Sequence, residues 1–285
     1  MTAAQVYDST RCQLGEGPLW HPEQKRLYWF DILSSRLYCR DGDELEQWDF
    51  DEHVSAAGWM GGTRLLVASE TALAVFETKT GQSEFLCALE ADNPVTRSND
   101  GRADPWGGFW IGTMGKAAEP GAGAIYRFYR GELRKLFANI TVSNAISFPP
   151  DAGFACFTDT RSRVVQSVAL DEATGWPKDD PEPYLDLNPR GRNPDGAVFG
   201  ADGTLWVAEW GASGVTGYDA AGTEVAAFNA PASQVSCPAF GGADLCTLFG
   251  TSAIQGLDPD QEPAAGQTFA WDTEFVGQAE HRVIL

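Results

Sequence analysis

At 285 residues the chain is long enough to bury a substantial core, and its 43% hydrophobic and 12% aromatic content argues against disorder. Forty acidic against twenty basic residues give a formal net charge of −20, which repels phosphate backbones and anionic membranes; with no Lys/Arg cluster to override it, nucleic acid is excluded as a partner. The start Met1-Thr2-Ala3-Ala4 lacks the basic and apolar regions of a signal peptide, no run of about 18 apolar residues could span a bilayer, and the six widely spaced cysteines form no C-x-x-C pair, so a soluble cytoplasmic protein with reduced thiols is expected.

Along the chain, six segments repeat one pattern: a short apolar strand, a turn bearing Gly or Pro, and a second apolar strand. They cover residues 17–31, 56–69, 100–113, 145–159, 196–209 and 238–249. The first residues of the second strands, Leu27, Leu65, Phe109, Ala155, Leu205 and Leu245, are spaced 38, 44, 46, 50 and 40 residues apart. A period near forty residues is what a propeller blade of four strands requires. Further strands are predicted at 72–76, 83–86, 124–129, 133–137, 164–170 and 215–218, and residues 174–183 read as loop. No window carries a helical period. The expectation is all-β, a six-bladed β-propeller forming a single domain over residues 1–285, with the ends 5–10 and 281–285 supplying strands that close the ring.

A blade's first strand runs along the central channel, so the loop leading into it lies at the channel mouth. Counting back ten or eleven residues from four of the second-strand positions reaches Glu16, Asn99, Asn144 and Asp195. The second blade offers Val54-Ser55 there and the sixth Val235-Ser236. Asn or Asp beside Gly is a common turn former, so Asn99 or Asp195 alone would be unremarkable. Four oxygen donors at one blade position converge on one axis, and carboxylate and amide oxygens suit Ca²⁺, Mg²⁺ or Mn²⁺ better than soft metals; Zn²⁺ is admissible through carboxylate oxygen. His21, His53 and His281 have no paired ligand spacing and read as surface or packing residues. Trp20, Trp29, Trp59, Trp110 and Trp206 fall within apolar strands and read as core. No nucleophile elbow, P-loop or dinucleotide fingerprint is present.

Leu14-Gly15-Glu16-Gly17-Pro18, Arg97-Ser98-Asn99-Asp100-Gly101, Gly112-Thr113-Met114, Ser143-Asn144-Ala145 and Pro194-Asp195-Gly196 together resemble the gluconolactonase/regucalcin (senescence marker protein) family, in that family's order and across essentially the whole chain. The resemblance implies one divalent cation in the channel, calcium first among the candidates, held by Glu16, Asn144 and Asp195. It implies that Arg97 and Asn99 contact a sugar-lactone substrate and that Asp195 is also the general base. Ala145 departs from the Gly that relatives often carry after the ligand Asn. Ala117 stands where some mammalian relatives have a lid Glu, so substrate preference does not carry over, and Lys116 and Glu119 are left open as contributors. The implied activity is metal-dependent opening of an aldonolactone to its sugar acid. The alternatives are a propeller esterase acting on other lactones or organophosphates, and a non-catalytic calcium-binding scaffold. The sugar, the ion and the oligomeric state are not fixed by the sequence.

Overall fold

A computed structural model describes residues 3–285; Met1 and Thr2 of the start discussed above lie outside the described residues. Among the described residues the strands form six four-stranded antiparallel sheets, confirming the six-bladed propeller. The first five blades span 15–49, 54–88, 96–140, 143–186 and 193–229, each with strands paired in chain order. The sixth consists of Val235–Gly241, Thr247–Ser252 and Thr268–Asp272, and takes its outer strand from Gln5–Asp8 at the other end of the chain. This clasp hides an edge that would otherwise be open for pairing. Asp8, itself buried, ties the clasp to the first blade through Arg40 at 2.7 Å.

Burial falls from the axis outwards. The inner strands, such as Val235–Gly241 and Ser143–Ser147, are buried at every position because each touches both neighbouring blades and the channel. Outer strands such as Glu44–Asp49 and Gln82–Ala88 are largely exposed. Apolar side chains gather between blades: Leu19, Tyr28 and Phe30 pack with Val54, Leu65 and Phe76 between the first and second. Trp20, Leu27 and Trp29 meet Phe249 where the sixth closes on the first. Trp29, Trp110, Trp206 and Trp271 are fully buried. The core is thus a ring of interfaces rather than one central cluster, which is why its sequence signal repeats with the blade.

Four sequence expectations need correction. Loop 174–183 ends early, because the strand Glu182–Asp186 begins within it. The sixth second strand starts at Thr247; Leu245 lies in the preceding turn with φ of 60°. Five strands escape the apolar pattern, Arg36–Asp41 and Glu224–Asn229 among them: the second is mostly exposed or half-buried, and the first buries only the short run Leu37, Tyr38 and Cys39 between charged residues. Finally, residues 281–285 form no strand. The tail lies across the C-terminal ends of the inner strands: Val283 donates its N–H to the Trp59 carbonyl at 2.9 Å and Ile284 to that of Gly107 at 2.8 Å. Among the described residues two short 3₁₀ turns interrupt the strands, Thr160–Ser162 and Asn188–Arg190, and no helix is long and apolar enough to cross a membrane.

Candidate active site

Every inner strand breaks register near its beginning. The shifts fall between Glu16 and Leu19, Val54 and Ala56, Ser98 and Gly101, Asn144 and Ser147, Pro194 and Ala197, and Val235 and Pro238. A β-bulge kinks its strand and re-aims the side chains at the break. Six bulges at one height therefore turn one residue per blade toward the axis. Two of them use left-handed backbone: Gly17, after Glu16, has φ of 53°, and Ala145, after Asn144, has φ of 55°. Glycine is required at position 17, where a Cβ would collide with the carbonyl oxygen of Ser55.

A cavity of about 600 Å³ opens at this end of the channel, and Glu16, Arg97, Asn99, Asn144 and Asp195 all line it. Each is at most 5% exposed. The structure thus brings together all five residues selected from the sequence. A hydrogen-bonded chain links three blades beneath it. Arg97 Nη1 donates to Asn99 Oδ1 at 2.7 Å and to the Ser98 carbonyl at 2.8 Å. Asn99 Nδ2 donates to Asn144 Oδ1 at 3.1 Å and to the Ser143 carbonyl at 2.8 Å. Asn144 Nδ2 donates to Thr160 Oγ1 at 2.9 Å, whose hydroxyl donates in turn to the Pro194 carbonyl at 2.8 Å, next to Asp195. Glu16 accepts from the N–H of Gly17 at 3.1 Å. The serines of the other two blades bridge instead: Ser55 donates to Ser98 Oγ at 2.8 Å, and Ser236 to the Gly15 carbonyl at 2.5 Å.

Charge here is unbalanced. Burial, then the charge of Asp100, pushes Glu16 up to about 8, against the opposing pull of the Gly17 N–H and Arg97. Burial, with Glu16 and Asp100 beside it, lifts Asp195 well above the ordinary carboxylate range. Asp100, whose carboxylate receives the Ile146 N–H at 2.7 Å, is raised by burial to about 6. Arg97 is lowered to about 10 by burial, although Glu16, Glu70 and Asp195 oppose that shift. Arg97 faces two of these buried carboxylates, and Arg102, which opposes Asp100, is itself paired with Glu280, so an excess of negative charge remains that protons or a cation can relieve. Among the described residues no three His, Cys, Asp or Glu side chains gather as a ligand set. The donors that fit a cation here are two carboxylates and the Asn144 amide oxygen, all of the kind that hard divalent ions take.

Apart from Lys116 and Ala117, the rest of the cavity wall was not anticipated. Antiparallel pairing returns each second strand to the mouth, and residues at or just past the ends of those strands line it: Leu33, Lys116, Thr160, Arg161, Trp210 and Gln255. Counting forward from the second strands would have found them. Lys116 lines the cavity but pairs with Glu70. Glu119 turns back to accept the Ala117 N–H at 3.1 Å. The three histidines are not among the cavity's lining residues.

Residues 14–254 match the family described as the SMP-30/Gluconolactonase/LRE-like region. The chain is 34% identical to the pentonolactonase XacC of Haloferax volcanii, covering 99% of this chain and 98% of that protein. It is 33% identical to the L-arabinolactonase of Azospirillum brasilense, over 98% and 95% of the two chains. A crystal structure of a calcium-binding protein, regucalcin, from Agrobacterium tumefaciens strain C58 superposes with a TM-score of 0.97 at 37% identity, covering 100% of this chain and 98% of that one.

Proposed function

The chain belongs to the SMP-30/gluconolactonase/LRE-like family, and on that premise we propose that it hydrolyses a sugar lactone to the open sugar acid with one divalent cation, calcium first among the candidates, held by Glu16, Asn144 and Asp195. One observation carries the reading: oxygen donors from three separate blades, each buried, meet in one cavity beside Arg97 and Asn99. The names of the lactonase relatives and of the calcium-binding neighbour support the same reading.

A lactone is a cyclic ester, and attack on its carbonyl carbon builds negative charge on the carbonyl oxygen. A divalent cation, when bound, supplies electrostatic stabilisation of that charge and makes a nearby water more acidic. Asp195 takes a proton from the attacking water as the new C–O bond forms. It returns that proton to the ring oxygen as the ester bond breaks, so the products are a carboxylic acid and a free hydroxyl. The burial that raises the proton affinity of Asp195 counters the depression a neighbouring cation imposes, keeping the carboxylate basic enough for this work. Arg97 and Asn99, fixed to each other at 2.7 Å, orient the sugar hydroxyls. No serine or cysteine nucleophile is needed.

The test is acid release from a panel of pentono- and hexonolactones, with and without EDTA, for the wild type and Asp195→Ala. Loss of ligand and base together should slow turnover by on the order of 10³-fold or more, within the range of general acid–base contributions, and EDTA should act similarly on the wild type. Rates unchanged by both treatments would show that neither the cation nor Asp195 takes part.

A further inference from the structure

Six charged side chains line the cavity: Arg97, Lys116, Arg161 and Arg163 against Glu16 and Asp195. Bases outnumber acids there, in a chain where acids outnumber bases 40 to 20. The two acids stand at the bulges, deeply buried. Arg161 and Arg163 stand instead on the loop that leaves the second strand of the fourth blade. Neither forms an ion pair among the described residues, whereas Lys116 is committed to Glu70. Arg163 uses only its Nε, donated to Asn193 Oδ1 at 2.9 Å, so its two terminal nitrogens are free to donate. The Arg161 side chain has no hydrogen-bond or ion-pair partner among the described residues.

The loop that carries them is held from several directions. The Arg161 N–H is received by Asp159 Oδ1 at 3.2 Å, the Arg163 N–H by the Thr160 carbonyl at 3.1 Å, and Asn188 Nδ2 donates to the Ser162 carbonyl at 3.0 Å. Two guanidinium groups on a fixed turn, facing a cavity and without acidic partners, match the planar fork geometry that binds carboxylate, sulfonate or phosphate. A neutral sugar lactone offers these two arginines hydroxyls but no anion to pair with, and a single sugar ring is smaller than the ligands that fill cavities of about 600 Å³.

We propose that Arg161 and Arg163 form an anion subsite, and that the preferred lactone carries an ionised group at the end of the sugar remote from the ester. This rests on the lactone-hydrolase reading above for the reacting end of the substrate. A local basic wall also offsets the repulsion that a chain of net charge −20 exerts on an anionic substrate.

The experiment compares kcat/KM for gluconolactone with that for 6-phosphogluconolactone, its 6-sulfo counterpart and a glucaric acid monolactone, in the wild type, Arg161→Gln, Arg163→Gln, the double variant and Arg161→Glu. The ranking of the three anions identifies which group the subsite takes. The wild type should favour an anionic lactone, and the double variant should lose on the order of 10–100-fold on it, the scale of one or two charge-assisted contacts, with gluconolactone turnover unchanged. Added salt should shrink the preference. In parallel, calorimetry compares sorbitol 6-phosphate with sorbitol, which needs no turnover. Opening of gluconolactone without preference for any anionic lactone, or equal losses on both classes in the variants, would overturn the subsite and leave the hydrolase reading intact. Arginine-dependent binding of sorbitol 6-phosphate with no lactone opened would overturn the hydrolase reading and leave the subsite standing.

Discussion

At the tail-covered end of the channel Arg102 meets Glu280 one to one, Nη1 to Oε1 at 2.5 Å, with both side chains at most 10% exposed. At the cavity end, Glu16 and Asp195 are buried with Arg97 as the guanidinium that offsets them, while Asp100 behind them is opposed by Arg102, which Glu280 already holds. The first arrangement is electrically complete and is sealed by the backbone of residues 283–284 and by Gln278, which donates to the Phe148 and Phe199 carbonyls at 3.1 and 3.2 Å. The second is unsatisfied in its charge. Blade packing alone would favour filling both ends as the first is filled. An end that buries two carboxylates beside one guanidinium at the floor of a cavity is built to receive something positive there.

The largest effect should come from breaking the complete end. Glu280→Ala leaves the Arg102 charge buried without its partner, and removing one side of a buried pair costs about 3–5 kcal/mol. Denaturant midpoints should fall accordingly, while lactone turnover per folded molecule is unchanged. Replacing both partners by apolar residues (Arg102→Met with Glu280→Leu) should recover most of the loss. A Glu280→Ala protein as stable as the wild type would mean that the two ends do not differ in the way described.

The cavity end should respond in the opposite direction. Without metal, Glu16→Gln removes a carboxylate that burial disfavours, so stability should rise as activity and the response to calcium fall. The dependence on pH follows from the sign of the shift. Glu16 is raised from 4.5 to about 8 in the folded chain, so its contribution is fully present below the ordinary carboxylate value and is lost as pH rises through about 8. In EDTA the wild-type Tm should therefore fall between pH 6.5 and 8, and fall less steeply in Glu16→Gln. His21 and His281, lowered below 6.5 chiefly by burial, are mostly neutral across this window and add little slope. Calcium should restore the wild-type Tm most strongly at the alkaline end. A flat wild-type profile in EDTA would remove the argument for charge imbalance.

The same contrast explains what could be read without coordinates. Glu16, Asn99, Asn144 and Asp195 were legible because bulge and second strand lie on one hairpin, so their separation is nearly constant from blade to blade. Second strands such as Phe109–Gly115 and Leu205–Trp210 were legible because burial on both faces makes them largely apolar, whereas an inner strand such as Thr96–Ala103 is mostly polar and was placed by its spacing from the second strand. Glu44–Asp49 was not, since its side chains are mostly in solvent and its composition has no reason to alternate. The Arg102–Glu280 pair joins residues 178 positions apart through a tail with no strand pattern, and nothing local announces it. Arg161 and Arg163 were hidden differently: they lie on a loop, where a charged residue is the ordinary expectation and only the cavity wall gives it meaning.

The smallest effect is expected at Ala145, and it bears on how the cavity end tolerates strain. An L-residue in left-handed backbone costs about 1–2 kcal/mol, which glycine would relieve at Ala145, where φ is 55°. Two opposing effects follow from the same substitution. Glycine adds unfolded-state freedom, about 0.5–1 kcal/mol, and the lost methyl group is fully buried against Cys156 and Ala197 in the interface of the fourth and fifth blades, a transfer loss of about 0.8 kcal/mol. These nearly cancel the relief, so Ala145→Gly should move the denaturant midpoint by less than about 1 kcal/mol in either direction. Turnover should also hold, because the bulge that aims Asn144 is fixed by Asn99 at one side and Thr160 at the other rather than by the methyl group. A large loss of activity in Ala145→Gly would show that the methyl group, and not the hydrogen-bonded chain, sets the direction of the Asn144 amide.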